Sequence, residues 1–140
     1  MKCTRLNEII EKNCSTAVEY AVSFGHTLDF TDASIKKVEE ILDYYANELS
    51  TSSADDKPTE NQVWSMAIIW GSYLGETMVR NIGEPCKWIY EEGEYLLEAK
   101  EAIANPVGKT YKRLINGKED NVYSFYDIIS LEIKKHINAN

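Results

Sequence analysis

Leu6, Ile10, Cys14, Ala17, Ala21 and Phe24 recur every three or four residues and draw one apolar stripe. They predict a helix over residues 6–24, with Gly25 where a C-terminal cap belongs. A second stripe, Ile35, Val38, Leu42, Tyr45 and Leu49, predicts a helix that begins near Asp32, with Thr31 as its N-cap and Phe30 packed on Ile35 as a hydrophobic staple. Lys36, Glu39, Glu40, Asp43 and Glu48 fall mainly off that stripe, toward water. The polar stretch over residues 50–58 reads as a loop inside one domain.

Thr59-Glu60-Asn61-Gln62 has the form of a capping box and opens a third helix. Over residues 63–82 the apolar positions go nearly all the way round, which marks a central helix with neighbours on every side. Gly71 and Gly75 share a face of it. Each weakens a helix by about 1 kcal/mol relative to alanine, so the pair predicts close approach of another backbone. Gly83 and Pro85 stop the helix. Residues 87–92 and 94–99, aromatic and branched around Gly93, predict two short strands in a hairpin, with Leu96-Leu97 breaking strict alternation. Asn105-Pro106 opens a short helix on Val107, Tyr111 and Leu114, closed by Gly117. Val122, Phe125, Ile129, Ile133 and Ile137 mark a last helix over residues 120–137. The expected architecture is a mostly helical α+β domain spanning residues 1–140, with about five helices and one small antiparallel hairpin.

Composition agrees with a packed globular domain: 140 residues, 44% hydrophobic and 27% charged. Charge narrows the partners. The net value is −8, and residues 1–99 carry 18 Asp/Glu against 8 Lys/Arg. A phosphate backbone is bound by Lys and Arg, so direct nucleic-acid binding is not expected. An acidic surface attracts a basic protein and speeds its association. Cys3, Cys14 and Cys86 are too few and scattered for a disulfide framework and fit reduced thiols in the cytoplasm. Residues 1–8 show no apolar core of a signal peptide, and the most apolar run, 63–74, is too short to cross a bilayer.

Candidate chemistry is sparse. Gly108-Lys109-Thr110 has the ending of a phosphate-binding loop, but Ile103 stands where the motif needs its first glycine. His26 and His136 are the only histidines; Glu132 and His136 share a helix face without a third ligand, so no metal is expected. Glu76, at the end of the apolar helix, has two readings: an ion pair with Arg80 one turn on, or a buried carboxylate in a pocket working as an acid or base. No nucleophile–histidine–acid set assembles. Trp88, Tyr90, Glu91, Glu92, Glu94, Tyr95 and Glu98 also have two readings: rings to the core and glutamates to water, or an acidic face edged by tyrosine that docks a basic partner. The outer face of the second helix, with Glu39, Glu40 and Asp43, is a further acidic candidate.

Two stretches carry a resemblance. One is Trp70-Gly71-Ser72-Tyr73-Leu74-Gly75-Glu76 with Asn81-Ile82-Gly83 and Trp88; the other runs from Asn105-Pro106-Val107-Gly108 to Asn116-Gly117, followed by Ser124-Phe125-Tyr126. Together, over roughly residues 28–130, they resemble a group of small, uncharacterised bacterial domains, some of which look like immunity proteins of toxin–immunity systems. The chain is similar to the immunity partners of contact-dependent growth inhibition. The resemblance implies a non-catalytic, cytoplasmic antitoxin without a cofactor, which binds and neutralises a cognate toxin domain, such as a cationic nuclease. It carries Gly71, Gly75, Glu76 and Arg113 as structural positions and brings no catalytic residue. The alternatives are a small-molecule-binding or hydrolase-like domain with Glu76 in a pocket, and a regulatory module acting through its exposed helices.

Overall fold

The computed structural model describes the backbone of residues 2–138 and the side chains of residues 5–138. The chain forms α1 (Lys2–Ser23), α2 (Ser34–Thr51), α3 (Glu60–Ile82), β1 (Lys87–Glu91), β2 (Glu94–Ala99), β3 (Ala102–Ala104), α4 (Pro106–Asn116), a 3-10 turn (Lys118–Asp120) and α5 (Val122–Asn138). It is a mostly helical α+β fold. The capping box at α3 is present: Gln62 N–H donates to Thr59 Oγ1 at 3.2 Å, and Thr59 N–H donates to Gln62 Oε1 at 2.8 Å. At α2 the helix starts later than its pattern predicts. Its N-cap position is Ala33, which has no side-chain cap bond, and the expected cap Thr31 lies in the turn before it, accepting from Ser34 N–H at 3.2 Å; Phe30 turns to φ 61° and sets its ring against Tyr73, 4.7 Å between centroids.

α3 is the central element. It packs against α1 and α4, while α2 covers α4 and α5. Trp70, Tyr73, Leu74 and Met78 of α3 are fully buried together with Ile10, Ile35, Leu42, Leu97 and Leu114. The two α3 glycines set how close the neighbours come. A Cβ on Gly71 would stand 2.6 Å from Val107 Cα, so this helix face meets the α4 backbone directly. A Cβ on Gly75 would run into the benzene edge of Trp88 and lie 2.9 Å from Pro106 Cγ; here the neighbours are a ring and a proline side chain, not a backbone.

The sheet has three antiparallel strands in the order β1-β2-β3, one more than the expected hairpin. β3 pairs Ala104 with Leu97 and Ala102 with Ala99. It follows a turn in which Lys100 takes φ 57°, and its three residues are too few to show a period of two. β2 runs as strand through Leu96-Leu97, with Leu97 buried.

Among the described residues one charged side chain lies in the core. Arg113 of α4 has no exposed surface. Its Nε donates to Glu39 at 2.9 and 3.1 Å, and its Nη2 reaches Glu39 at 2.8 Å and Asp43 at 2.6 Å. Glu39 also accepts from Val122 N–H at 3.0 Å, the first residue of α5. One carboxylate thereby ties α2 to both α4 and α5. Nearby, the Tyr126 hydroxyl of α5 bonds Asp32 just before α2.

Candidate partner-binding site

The β1–β2 turn is two residues long, and both take positive φ, Glu92 at 50° and Gly93 at 83°. That is the conformation which follows the twist of a tight hairpin, and glycine at the second position holds it without strain. The turn fixes the register beyond it: Glu91 faces Glu94, Tyr90 faces Tyr95 and Trp88 faces Leu97. Successive side chains point to opposite sides of a strand, so Trp88, Tyr90, Tyr95 and Leu97 share one face. Trp88 and Leu97 end in the core. Toward the turn the same face opens to water: Tyr90 is 57% exposed and packs on Tyr95 with ring centroids 5.0 Å apart. The two sequence readings of this cluster therefore divide along the strand, core at one end and exposed rings beside carboxylates at the other. Glu91 and Glu92 are exposed at the turn, while Glu98 is half-buried and faces Lys87 across the ladder.

Three elements meet beside the turn. The first turns of α3 bring Trp64, which stacks on Tyr111 of α4 with centroids 3.8 Å apart and planes 8° from parallel. The Tyr111 hydroxyl donates to Glu60 Oε1 at 2.7 Å, and that bond, with some burial, raises the phenol above its ordinary pKa. At the start of α4, Asn105 caps the helix by accepting from Gly108 N–H at 2.8 Å and leans toward Glu94, 3.4 Å from Nδ2 to Oε1. The groove between them has a volume of about 360 Å³. It is lined by Trp64 and Ile68 of α3, by Gly93, Glu94 and Tyr95 of the hairpin, and by Asn105, Val107 and Gly108. Trp64 was not singled out by the sequence pattern, although an aromatic ring beside Val63 in the polar first turn of a helix is a usable signal.

The other candidates lie elsewhere. Glu39 and Asp43 do not form a free outer face with Glu40. They are half-buried against Arg113, where they engage Nε and Nη2 of the buried guanidinium, while its Nη1 has no hydrogen-bond partner among the described residues. Hydrogen bonding from Arg113 holds the Asp43 carboxyl below the usual range. Glu40 is exposed and meets His26 Nε2 at 3.1 Å. Glu76 is a brace. Its Oε2 accepts from Arg80 Nε at 3.0 Å and its Oε1 from the Trp88 indole N–H at 3.1 Å, so both oxygens are engaged. Arg80 also lies over the Phe30 ring, 3.7 Å from its centroid.

The Gly-Lys-Thr segment is spent on packing. Lys109 pairs with Asp120 at 2.8 Å, and Thr110, fully buried, donates to the Pro106 carbonyl. Cys14 and Cys86 are buried free thiols, and the Cys3 side chain lies outside the described residues. Among the described residues no group of three or more His, Cys, Asp or Glu side chains is placed to hold a metal ion, and no helix is long and apolar enough to cross a membrane. Comparison of the chain with protein-family models, with curated proteins and with solved structures finds no match.

Proposed function

We propose that this protein is a cytoplasmic immunity protein that binds and neutralises a cognate toxin domain, a cationic nuclease, through the acidic and aromatic surface at the hairpin turn. The observation that carries the reading is the exposure of rings among carboxylates. Tyr90 and Trp64 are 57% and 38% exposed, beside Glu91, Glu92, Glu94 and Glu60. Exposed Trp and Tyr at the rim of a concave site are the residue types that anchor protein partners, and surrounding carboxylates select a basic one. The net charge of −8 adds long-range attraction for such a partner.

Compared with the sequence expectation, the binding surface narrows to Tyr90, Glu91, Glu92, Glu94 and Tyr95, extended by Trp64 and Glu60. Glu39 and Asp43 act inside the fold, since their carboxylates are bound to Arg113. Each Glu76 oxygen accepts a hydrogen bond, so Glu76 is not the free pocket carboxylate on which the hydrolase-like alternative rests.

The test is capture of the tagged protein from its own host, followed by expression of each co-purifying polypeptide with and without it. A basic polypeptide recovered at one-to-one stoichiometry, growth-arresting alone and harmless when co-expressed, is the expected result. A protein recovered with no such partner overturns the reading.

A further inference from the structure

We infer that the groove between Trp64, Glu94 and Tyr95 is an arginine-side-chain receptor: it takes a guanidinium group from a partner protein. The inference rests on the reading of the hairpin turn as a partner-binding surface and names the chemistry that the surface recognises.

The lining decides the sign of the ligand. Among the residues around the groove there is one carboxylate, Glu94, and no lysine or arginine. Lys109, next in sequence to Gly108, already binds Asp120 at 2.8 Å. The start of α4 offers little to an anion, because Pro106 has no N–H and the N–H of Gly108 donates to Asn105 at 2.8 Å. Among the described residues the Glu94 carboxylate accepts one hydrogen bond, a long one, 3.4 Å from Asn105 Nδ2. It is therefore weakly held and can exchange that contact for a stronger donor.

The shape favours a planar cation over a compact one. Tyr111 lies flat against one face of the Trp64 indole, and the indole still lines the groove. The Tyr111–Glu60 bond holds that pair in place and puts a second carboxylate close to the stack. A guanidinium group stacks on aromatic rings and presents a fork of donors to a carboxylate, while an ammonium does only the second of these, as a point charge. The volume of about 360 Å³ exceeds one water-filled niche and lies near the lower end of sites that take small groups.

The experiment titrates nitrogen-15-labelled protein with N-acetyl-arginine amide and, separately, with N-acetyl-lysine amide. The chain has three tryptophans, and Trp70 and Trp88 are buried, so their indole N–H signals report folding while that of Trp64 reports the groove. The expected result is a saturable shift at Trp64 and at the amides of Gly93 and Gly108. Lysine amide should bind about fivefold more weakly. Glu94→Gln should weaken arginine binding by about as much without moving Trp70 or Trp88. A shift that does not saturate, equal binding of lysine, or full binding to a folded Glu94→Gln protein overturns the inference. If Glu94→Gln disturbs Trp70 or Trp88, the arginine preference of the unaltered protein decides. The two readings fail separately: a groove that binds arginine in a protein that protects no cell leaves only the immunity reading overturned, and a protective protein blind to arginine leaves only this one overturned.

Discussion

Arg113 of α4 and Glu39 of α2 stand 74 positions apart in sequence and meet through contacts of 2.8 and 2.9 Å, with the guanidinium wholly out of water. A charge in that position costs several kcal/mol unless paired, so the pair acts as a latch: each partner makes the burial of the other tolerable. Truncating one side leaves the other uncompensated. Arg113→Met should lower the unfolding free energy by about 3–5 kcal/mol, read from the urea midpoint at an unchanged slope. Arg113→Lys should recover only part of this, because one ammonium cannot reproduce the fork that holds Glu39 and Asp43 together. A loss below about 1 kcal/mol for Arg113→Met would show that the latch contributes nothing.

The Arg113 network and the separate Lys109–Asp120 pair have a pH dependence of the same sign. Hydrogen bonding from Arg113 lowers the pKa of Asp43, and hydrogen bonds from Lys109 and Asn116 lower that of Asp120. A carboxyl depressed in the folded state gives its stabilisation in full above its unfolded value, about 3.9, and loses it as pH falls through the folded value. Stability should therefore be level from neutral pH down to about pH 5 with respect to these two groups and drop below about pH 4. Asp43→Asn and Asp120→Asn should each flatten that acid limb in thermal melts. An acid limb as steep in both variants as in the parent would contradict the assignment.

Gly71 and Gly75 predict different responses to the same substitution. Alanine is the better helix former by about 1 kcal/mol, yet at position 71 its Cβ meets the Val107 Cα, which no side-chain rotation moves. Gly71→Ala should cost about 1–3 kcal/mol net and resist rescue by trimming Val107. At position 75 the obstacles are the Trp88 ring and, less severely, the Pro106 side chain. Gly75→Ala should displace the ring, break its bond to Glu76, and be partly rescued by Trp88→Phe, which lacks the colliding ring edge. Denaturation of the single and double variants separates the two cases.

These glycines also show what could be read from the residues alone. Their shared face announced a close neighbour, and Thr59 with Gln62 announced the start of α3, because both signals are local and set by helix geometry. The rings near Gly93 announced a hairpin. What escaped was what joins distant positions. Neither the Arg113–Glu39 pair nor the Trp64–Tyr111 stack has any trace in spacing, since the tertiary fold alone brings α2, α3 and α4 together. For that reason Glu39 and Asp43 looked like solvent-facing acids of an amphipathic helix. β3 escaped for a different cause: three residues carry no periodicity.

The buried thiols should be chemically silent in the folded state. Burial pushes the Cys14 thiol up to about 12 and Cys86 up to about 11, each with a smaller push from the Glu76 charge. The thiolate is the reactive form, so at pH 8 almost none is present at either position. Alkylation followed by peptide mapping should leave Cys14 and Cys86 unmodified until denaturant is added, after which both should react. Native-state labelling at Cys14 would mean that α1 opens from α3 on the timescale of the reaction.

Association with the basic partner proposed above should separate charge from contact. Glu91 and Glu92 are exposed at the hairpin turn, and charges at a rim act on the approach more than on the bound state. Glu91→Lys with Glu92→Lys should slow association at low salt on the order of tenfold, an effect that fades as salt screens it, with dissociation little changed. Tyr90, half-exposed against Tyr95, supplies contact area without charge. Tyr90→Ala should leave the association rate alone and weaken the complex by about 2 kcal/mol through faster dissociation, as loss of an aromatic anchor does. Surface plasmon resonance across a salt series reads both rates. If the charge reversal alters neither rate, the partner docks elsewhere on the molecule and the hairpin turn is not its site.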